Sequence, residues 1–502
     1  MKYFIGIDVG TYDTKGSLMD ETGKIVQTDH EPHQMEIPKP GYAEHDAEGV
    51  WWHDFCIVSR RLIEKSGIDP NDIKGVGASA IGPCCLPIDQ DGKPLRKAIL
   101  YGVDVRAQKQ IEDLKKELGE EFIQERYGNP ITSQSIGPKI LWIRENEPEI
   151  YKKAAKFVTA STYLTMKLTG RCCIDHYTAA YFTPMYELKS QNWDEEYLDR
   201  ICSKDQLAEC MWTDEIAGGV TTQAAEETGI PEGTPVIVGT ADAAADAVGA
   251  GVLDPGDMLL MFGSSLYMIH VVPKLTTDQR YWAGPYLFKD TFMVASGMST
   301  AGMLTTWFRD QLAPDYLKAE KDGGQNAYEA LKDSIESVPV GSNGLIVLPY
   351  FSGERTPIND PQAKGVIFGL TLSHTRADMY QACLESIAYG IEQHFQGYRE
   401  IGVETGRIIA VGGGTRTEKW MQILSDVTGR EIEIGSVFGA SFGDALMAAH
   451  AEGTVKDIRK LLAGMTEPKK MVPDQERHGQ YQPYVEKYKK LYVSTKDLMH
   501  SM

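Results

Sequence analysis

An aspartate between a short apolar strand and an alanine-rich helix is a candidate general base. In GTADAAADAVGAG, residues 239–251, the strand is expected to deliver Asp242 to the start of the helix, where small neighbours leave room for a substrate. The positive end of the helix dipole favours the ionised carboxylate, which can accept a proton from a hydroxyl group. A simple helix cap is the structural alternative for Asp242.

The segment GIDVGTYDTKG, residues 6–16, is a candidate phosphate-binding turn. Gly10 allows close approach of the backbone, Thr11 offers a hydroxyl and Lys15 offers a positive charge. Asp8, at the end of the preceding strand, could hold magnesium through water, because Mg²⁺ prefers oxygen ligands and few protein carboxylates. The GxxxxGK[ST] pattern of a Walker A loop is absent. An ordinary hairpin is the structural alternative for this segment.

Two further turns combine glycine with hydroxyl side chains. FGSS contains Gly263, Ser264 and Ser265 between two apolar strands. AVGGGTRTEKW places Gly413 and Gly414 after a strand and before a helix, where amides of the helix start can face an anion. The GxGxxG fingerprint of a dinucleotide-binding fold is not met. Each turn alone is also compatible with an ordinary loop.

Composition predicts a two-domain enzyme. The 502 residues, 42% of them hydrophobic, exceed the size at which a single core stops growing, about 250 to 300 residues. The formal net charge of −20 argues against a nucleic-acid partner, which requires clustered Lys and Arg. No apolar run approaches the roughly 18 residues of a membrane span, and the eight Cys contain no CxxC. We therefore expect a soluble, cytoplasmic enzyme without a nucleic-acid or membrane partner.

Strand and helix patterns alternate along the chain, which predicts the α/β class. Residues 3–10 and the segments after them predict a pair of hairpins, and residues 257–271 repeat the order strand, turn, strand. Helical periodicity is expected over residues 138–157, and TPVIVGTAD is a candidate buried strand. Four tyrosines at helical spacing predict a packed C-terminal helix: Tyr481, Tyr484, Tyr488 and Tyr492.

In this order, these segments resemble the FGGY family of carbohydrate kinases over nearly the whole chain. The most specific block is LPYFSGERTPINDPQAKGVIFGL, residues 348–370, continued by HTRADMYQACLESIAYGI. It is similar to the second signature of the family, although Cys383 departs from the usual residue types. PKILWIREN, residues 138–146, resembles the first signature through its Lys, Trp and Asn, whereas Ile136 replaces a Pro, Ser or Thr. The matching residues of the second signature are Gly365, Gly369, Asp378, Ala382 and Glu385.

The resemblance implies two actin-like (ribonuclease H-like) α/β domains around a central cleft, with residues 1–246 as the N-terminal domain and 247–502 as the C-terminal domain. It implies ATP as the phosphate donor, Mg²⁺ near Asp8, a small sugar as acceptor and Asp242 as the catalytic base. Such a set can supply the positioning and charge stabilisation on which phosphoryl transfer depends. A homodimer stays open. The residues expected to bind the nucleotide are Thr11, Lys15, Gly263, Ser264, Ser265, Gly302, Gly413, Gly414 and Thr417.

The expected sugar pocket departs from the pattern of xylulokinases. AILYGVDVRAQ is similar to the WNDxR segment of the family and brings Asp104 and Arg106 into register as sugar-binding residues. Ile81-Gly82-Pro83 stands in place of a Gln-Met-His stretch, and Ala243 in place of a polar residue beside the base. Asp246, one helical turn further on, could offer a substitute carboxylate. Solvated carboxylates are the alternative at both aspartates, and we expect a ketose other than D-xylulose.

Two other functions stay open. A glycerol or polyol kinase also carries a segment similar to AGMLTTWFRDQL, but the Arg-Glu pair and the Trp of its pocket lack clear counterparts near residues 81–101. A non-catalytic, actin-like sugar or nucleotide sensor would not need a hydroxyl-directed base such as Asp242. Sugar-stimulated ADP production separates an enzyme from a sensor.

Overall fold

A computed structural model describes residues 1–435, 439–465 and 467–502 of the protein. Its strands, in chain order, are β1 (Tyr3–Val9), β2 (Asp13–Asp20), β3 (Ile25–Pro32), β4 (Glu44–His45), β5 (Ile73–Ala80), β6 (Leu86–Ile88), β7 (Ala98–Ile99), β8 (Lys156–Val158), β9 (Cys173–Asp175), β10 (Tyr186–Glu187), β11 (Asn192–Trp193), β12 (Glu209–Met211), β13 (Ile216–Gly219), β14 (Pro235–Ile237), β15 (Thr240–Ala241), β16 (Met258–Phe262), β17 (Leu266–Val272), β18 (Trp282–Pro285), β19 (Phe292–Met298), β20 (Ile346–Leu348), β21 (Val366–Phe368), β22 (Ile408–Gly412), β23 (Ile432–Ile434) and β24 (Lys469–Met471).

The α-helices, in chain order, are α1 (His53–Ser66), α2 (Gln108–Leu118), α3 (Glu120–Tyr127), α4 (Ile136–Asn146), α5 (Pro148–Lys153), α6 (Ala160–Thr169), α7 (His176–Ala179), α8 (Thr222–Thr228), α9 (Asp242–Gly249), α10 (Gly302–Leu312), α11 (Pro314–Lys321), α12 (Ala327–Ser334), α13 (Arg376–Glu400), α14 (Glu418–Thr428), α15 (Ala440–Ala451), α16 (Ile458–Met465) and α17 (Gln475–His500). No helix within the described ranges is long and apolar enough to cross a membrane.

The chain divides into two compact units, and neither is continuous in sequence. The first consists of residues 1–255, 271–293 and the described part of 438–467. The second consists of residues 256–270, the described part of 294–437, and 468–502. The predicted boundary between the N-terminal domain, residues 1–246, and the C-terminal domain, residues 247–502, stays a prediction.

The first unit is built on a mixed sheet with the strand order β13-β14-β5-β1-β2-β3, in which β15 also pairs with β5. The strands β1, β2 and β3 are consecutive and antiparallel, so the two N-terminal hairpins are confirmed. The strands β14, β5 and β1 run parallel, which requires crossover connections through helices. The segment TPVIVGTAD forms two short strands, β14 and β15, rather than one.

Glycines let α15 lie directly on this sheet and against α9. A Cβ added to Gly6 of β1 would lie 1.8 Å from the carbonyl oxygen of Ser441. A Cβ added to Gly443 of α15 would lie 2.0 Å from the carbonyl oxygen of Ala245 in α9. No larger residue fits at either point, so a helix from late in the chain is brought beside the first strand.

The second unit contains a sheet with the order β19-β17-β16-β22-β23-β24. The strands β16 and β17 form the antiparallel pair predicted around residues 257–271, and β16 and β22 run parallel. The side chains of Tyr481, Tyr488 and Tyr492 on α17 are buried, which confirms the predicted core packing for these three, whereas Tyr484 is half-buried. Mixed sheets flanked by helices in both units confirm the α/β class.

A buried carboxylate joins three segments of the second unit. Glu385 of α13 accepts hydrogen bonds from the N–H of Gly341 at 3.0 Å and from the hydroxyl of Ser342 at 2.8 Å. It also accepts one from the hydroxyl of Tyr481 at 3.1 Å. This signature residue therefore ties α13 to a turn and to the C-terminal helix.

The expectation of one helical segment over residues 138–157 is wrong. The structure has α4, a break at Glu147, α5 and then the strand β8. Pro148 begins α5 because proline lacks the N–H that a continuing helix would need, and it disfavours helical backbone in the preceding residue. The chain then turns into β8, which pairs antiparallel with β6 and takes Phe157 into a sheet.

Candidate active site

The predicted base, Asp242, is the first residue of α9 and directly follows β15. Its Oδ1 accepts a 2.7 Å hydrogen bond from the N–H of Ala243. Burial raises the pKa of Asp242 to about 8, the charges of Asp8 and Asp246 add to the rise, and the Ala243 amide and Lys15 oppose it. Ala241, the residue before Asp242, is the N-cap of α9, so Asp242 is not itself a helix cap. A carboxylate with its pKa in the neutral range is suited to accept a proton from a hydroxyl group.

Asp8 lies on β1 between two strands that each supply a neighbour. It stands opposite Lys15 of β2 and opposite Ser79 of β5. The Ser79 hydroxyl donates a 3.0 Å hydrogen bond to Oδ1 of Asp8. Burial raises the pKa of Asp8 to about 6, although Ser79 and Lys15 lower it. The strand register thus brings the predicted metal-binding carboxylate beside the predicted phosphate-binding lysine.

Asp444 of α15 joins this group and was not predicted. The Ser79 hydroxyl lies 2.7 Å from Oδ2 of Asp444 as well as near Asp8. A serine hydroxyl carries one hydrogen, so it can donate to only one of these carboxyl groups at a time. Burial raises the pKa of Asp444 well above its usual range, and the charges of Asp8 and Asp246 add to the effect. The available sequence signal was a lone aspartate in the apolar helix ASFGDALMAAHA.

Asp246 completes a set of mutually influencing carboxyl groups in the first unit. It lies one helical turn after Asp242, and burial, together with the charge of Asp8, raises its pKa to about 7. Buried carboxyl groups near one another retain protons unless a cation neutralises them. Lys15 lowers the pKa of Asp8, Asp242 and Asp246. The aspartate cluster, as we call it, consists of Asp8, Asp242, Asp246 and Asp444.

The donors around Asp8 fit a hydrated magnesium ion. Oδ1 of Asp444 is buried without a hydrogen-bond partner, and the side chains that meet at Ser79 offer carboxyl and hydroxyl oxygens. Within the described ranges, no group of three or more His, Cys, Asp or Glu could enclose a metal by itself. Mg²⁺ usually keeps several waters and takes one or two carboxylates together with substrate phosphates. The open arrangement of oxygen donors around Asp8 therefore suits magnesium, which does not need a closed set of protein ligands.

Asp104 and Arg106, predicted to contact a sugar, bind each other. The Arg106 Nε lies 2.9 Å from Oδ1 of Asp104, and its Nη2 lies 2.7 Å from Oδ2. Oδ2 also accepts a 2.7 Å hydrogen bond from the N–H of Ala43, and Arg106 Nη1 lies 2.8 Å from Glu44. The Asp104 side chain is 0% exposed. The pair braces its loop, and contact of either residue with a sugar stays a prediction.

Two polar side chains in this unit were not predicted as binding residues. The Tyr101 hydroxyl lies 3.3 Å from Oγ1 of Thr11. Burial raises the pKa of Tyr101, and the charge of Asp242 adds to the rise. Lys139 is buried and donates a 2.6 Å hydrogen bond to the carbonyl of Ser133, and burial lowers its pKa to about 8. Tyr101 and Lys139 both lie in segments that resemble the FGGY family. In the Tyr101 segment, only Asp104 and Arg106 were predicted to bind a ligand.

The second unit contains a cavity of about 640 Å³ where several predicted nucleotide-binding residues meet. Ser265 is not among the residues that line it, whereas Thr11 and Lys15 belong to the first unit. Four aromatic side chains in the lining were not predicted: Phe262, Tyr328, Tyr380 and Trp420. Trp420 ends the glycine-rich segment AVGGGTRTEKW, which was its available signal. The predicted residues in the lining are Gly263, Ser264, Gly302, Gly413, Gly414 and Thr417.

Backbone contacts fix one edge of this cavity. The N–H of Gly302 donates a 3.0 Å hydrogen bond to the carbonyl of Gly263, and a Cβ at Gly302 would lie 2.5 Å from that oxygen. The N–H groups of Ala301 and Met303 both donate to the carbonyl of Ser264 at 3.0 Å. The FGSS turn is thereby held against the start of α10, and only glycine fits at residue 302.

Comparison with known proteins finds similarity over nearly the whole chain. Residues 3–249 match the FGGY family of carbohydrate kinases, N-terminal domain, and residues 260–452 match its C-terminal domain. A xylulose kinase of Bacillus subtilis (strain 168) is 28% identical over 506 residues, which cover 99% of this chain and 98% of that protein. A gluconokinase of the same organism is 30% identical over 461 residues, covering 90% and 88%. The crystal structure of xylulose kinase from Rhodospirillum rubrum has a TM-score of 0.93 at 29% identity, covering 99% of this chain and 100% of that one.

Proposed function

Because the chain belongs to the FGGY family of carbohydrate kinases, with their two-domain, actin-like α/β fold, we propose that it transfers the γ-phosphoryl group of ATP to a hydroxyl of a small sugar. The observation that carries this proposal is the position of Asp242 at the start of α9, within the electrostatic influence of Asp8 and Lys15. A base, a candidate metal carboxylate and a phosphate-binding cation are the parts that phosphoryl transfer requires.

In the proposed reaction, Asp242 accepts the proton of the attacking sugar hydroxyl. The raised pKa of Asp242 supports this role, since a base works best when its pKa is close to the working pH. General-base assistance of this kind contributes typically about 100-fold to 10,000-fold to the rate.

Residues of the first turn would hold the phosphates. Lys15 offers a positive charge, Thr11 offers a hydroxyl, and both follow Asp8 in the same hairpin. When bound near Asp8, Mg²⁺ would supply neutralisation of the phosphate charges. The pairing of Asp8 with Lys15 across β1 and β2 is the support for this assignment.

The cavity of the second unit is proposed to hold the adenosine part of ATP. Its aromatic walls, Phe262, Tyr328, Tyr380 and Trp420, suit a flat heteroaromatic ring. Gly413 and Gly414 at the start of the helical segment before α14 leave its backbone accessible to a ligand. Several predicted nucleotide-binding residues line this cavity, and their presence supports an adenosine site here rather than a sugar site.

We propose a ketose other than D-xylulose as the acceptor. The stretch Ile81-Gly82-Pro83 lies beside the base, because a Cβ at Gly82 would lie 2.9 Å from the Cβ of Ala241. None of its side chains can donate a hydrogen bond, and neither can that of Ala243. Sites that bind a hydroxyl by hydrogen bonding discriminate strongly against ligands that do not match. Direct sugar contacts by Asp104, Arg106 and Asp246 belong to the same proposal.

A sugar acid is the second candidate acceptor, because a relative named gluconokinase is 30% identical to this chain. A coupled assay of ADP release should compare D-xylulose, other pentuloses, D-erythrulose, D-gluconate and glycerol. Highest kcat/KM with a ketose other than D-xylulose is expected. Preference for D-xylulose, gluconate or glycerol would refute the ketose proposal, and no stimulation by any acceptor would favour the sensor. A cytoplasmic location and a homodimer stay predictions.

Asp242→Asn tests the assignment of the base. The variant keeps the size of the side chain but cannot accept the proton, so kcat should fall by about 100-fold or more. Its affinity for MgATP, measured by calorimetric titration, should stay within about threefold. Asp113→Asn is the matched control, because the Asp113 side chain is 62% exposed on α2. Turnover of Asp242→Asn close to that of the control would refute the assignment.

A further inference from the structure

A buried histidine holds the first phosphate-binding turn from behind. His33 directly follows β3, and its side chain is only 6% exposed. Its Nε2 lies 3.0 Å from the carbonyl oxygen of Gly10. Its backbone N–H donates a 3.0 Å hydrogen bond to the carbonyl of Tyr12. One residue therefore contacts two carbonyl groups of the turn that joins β1 to β2.

The other ring nitrogen of His33 contacts a carboxylate. Nδ1 lies 2.9 Å from Oδ2 of Asp54, whose side chain is also 6% exposed. Asp54 lies in the first turn of α1, and its Oδ2 also accepts a 3.3 Å hydrogen bond from the hydroxyl of Thr14. The ring of His33 therefore bridges the Gly10 carbonyl and the Asp54 carboxyl group, with one ring nitrogen facing each.

His45 is the neutral neighbour of this pair. Its ring packs edge-on against that of His33, with centroids 5.2 Å apart. Its Nδ1 accepts a 3.0 Å hydrogen bond from Nε1 of Trp51, so its hydrogen resides on Nε2. Burial lowers the pKa of His45 to about 4, and the charge of His33 adds to the effect.

The contact with Gly10 determines which way the next amide points. In a trans peptide the carbonyl and the N–H point in opposite directions. Since the Gly10 carbonyl is turned to His33, the N–H of Thr11 points to the opposite side of the turn. The turn is too tight for a side chain at its first position, because a Cβ at Gly10 would lie 2.9 Å from the carbonyl oxygen of Asp13.

We infer that His33, held by its contact with Asp54, is a positioning residue that orients the backbone amide of Thr11 towards the phosphates of ATP. The inference rests on the proposed function, because that function makes this turn a phosphate site. His33 itself touches no substrate in this arrangement. Its effect is specific to the phosphates and leaves the sugar and adenosine contacts unchanged.

His33→Ala tests the inference through a split between the two substrates. The variant loses both ring contacts, so KM for MgATP should rise at least about tenfold, whereas KM for the sugar should change by less than about twofold. Asp54→Asn should stay within about threefold of wild type, because its amide can donate to Nδ1 and leave the hydrogen of Nε2 on Gly10. His30→Ala is the matched control: His30, on β3, also pairs with an aspartate, Asp13, but its side chain is 67% exposed. The control should leave both KM values unchanged.

A double variant, His33→Phe with Asp54→Leu, separates a loss of phosphate binding from a loss of folding. It removes the same ring contacts, and in addition the contact of Asp54 with the Thr14 hydroxyl, but it leaves no carboxyl group buried without its histidine partner. It should show the same rise in KM for MgATP. Calorimetric titration of the two variants that lack His33 should show weaker binding of MgATP with unchanged binding of adenosine. Wild-type affinity for MgATP in a folded His33 variant, or equal losses for MgATP and adenosine, would overturn the inference. A wild type that binds MgATP but phosphorylates no acceptor would refute the proposed function instead, and the same titrations would still decide the role of His33.

Discussion

The charges of two other carboxyl groups, Asp8 and Asp246, act on Asp242, and each of them when ionised makes ionisation of Asp242 more costly. Burial raises the pKa of Asp242 to about 8 and that of Asp246 to about 7. At a pH below its pKa, Asp242 is mostly protonated and cannot act as a base. The aspartate cluster therefore makes catalysis sensitive to the charges of residues that do not themselves accept the proton.

Asp246→Asn is expected to lower the pKa of Asp242, because the substitution removes a nearby negative charge without changing the size of the side chain. The acidic limb of the pH profile of kcat/KM should move to lower pH, and the variant should exceed wild type in relative activity near pH 6. The check is kcat/KM for the preferred sugar from pH 5 to 9, with Asp113→Asn as the exposed control. An unchanged limb, or one moved to higher pH, would show that Asp246 does not act on the base in this way.

The residues of the site differ in how far local sequence could identify them. Asp8 and Lys15 lie in one hairpin, so their pairing follows from predicting two strands and a short turn. Asp444 lies hundreds of residues away, and its contact with Ser79 depends on the packing of α15, which local periodicity does not reveal. Ser79 itself is a small residue in a buried strand and has no sequence feature that marks it as a link between carboxyl groups.

Among the elements, the contact between α9 and α15 holds two helices that carry site aspartates. The Gly443 backbone approaches α9 so closely that an added Cβ would lie 2.0 Å from the carbonyl oxygen of Ala245. Backbone atoms cannot move aside as a flexible side chain would. The distance between the helices is therefore set by a glycine rather than by interlocking side chains.

Gly443→Ala is expected to destabilise the protein by about 1 to 3 kcal/mol, because the methyl group forces the two helices apart. Gly464→Ala is the matched control, since Gly464 also lies in a helix of the first unit, α16, and an added Cβ meets nothing within 4 Å. The control should be neutral or more stable by up to about 1 kcal/mol, as alanine favours helix. Urea midpoints from tryptophan fluorescence provide the comparison, and equal midpoints for the two variants would contradict the close contact.

The elements themselves were predicted best where turn residues punctuate a regular pattern. The N-terminal hairpins and the pair β16 and β17 have alternating apolar residues around glycine-containing turns, and both are confirmed. A single helix was predicted over residues 138–157, but such a helix would have to continue through Pro148. Proline lacks a backbone N–H and disfavours helical backbone in the preceding residue, so one helix ends there and another begins. Hydrophobic periodicity alone also does not distinguish the short strand β8 from the end of an amphipathic helix.

At the scale of the whole molecule, buried aspartates and buried histidines change the stability of the folded protein in opposite directions as pH rises. The pKa values of Asp8, Asp246 and Asp242, raised to about 6, 7 and 8, exceed their unfolded value of 3.8. The stability these groups contribute is therefore complete below pH 3.8 and is lost as pH rises through 6 to 8. Three buried histidines, His45, His270 and His394, have pKa values lowered from 6.5 to about 4, so their contribution is present above pH 6.5 and is lost as pH falls through 4.

The urea midpoint of the Mg²⁺-free protein is consequently expected to fall from about pH 6 to pH 8.5. Asp242→Asn with Asp246→Asn removes two of the groups responsible for the alkaline loss. This double variant should lose less stability over that range than wild type, by about 1 to 3 kcal/mol. Its acidic loss should stay the same, because the histidines are unchanged. Added Mg²⁺ should reduce the alkaline loss of wild type more than that of the variant, since a cation neutralises the carboxylates that cause it. Parallel pH profiles for the two proteins would show that the aspartate cluster ionises as freely in the folded chain as in the unfolded one.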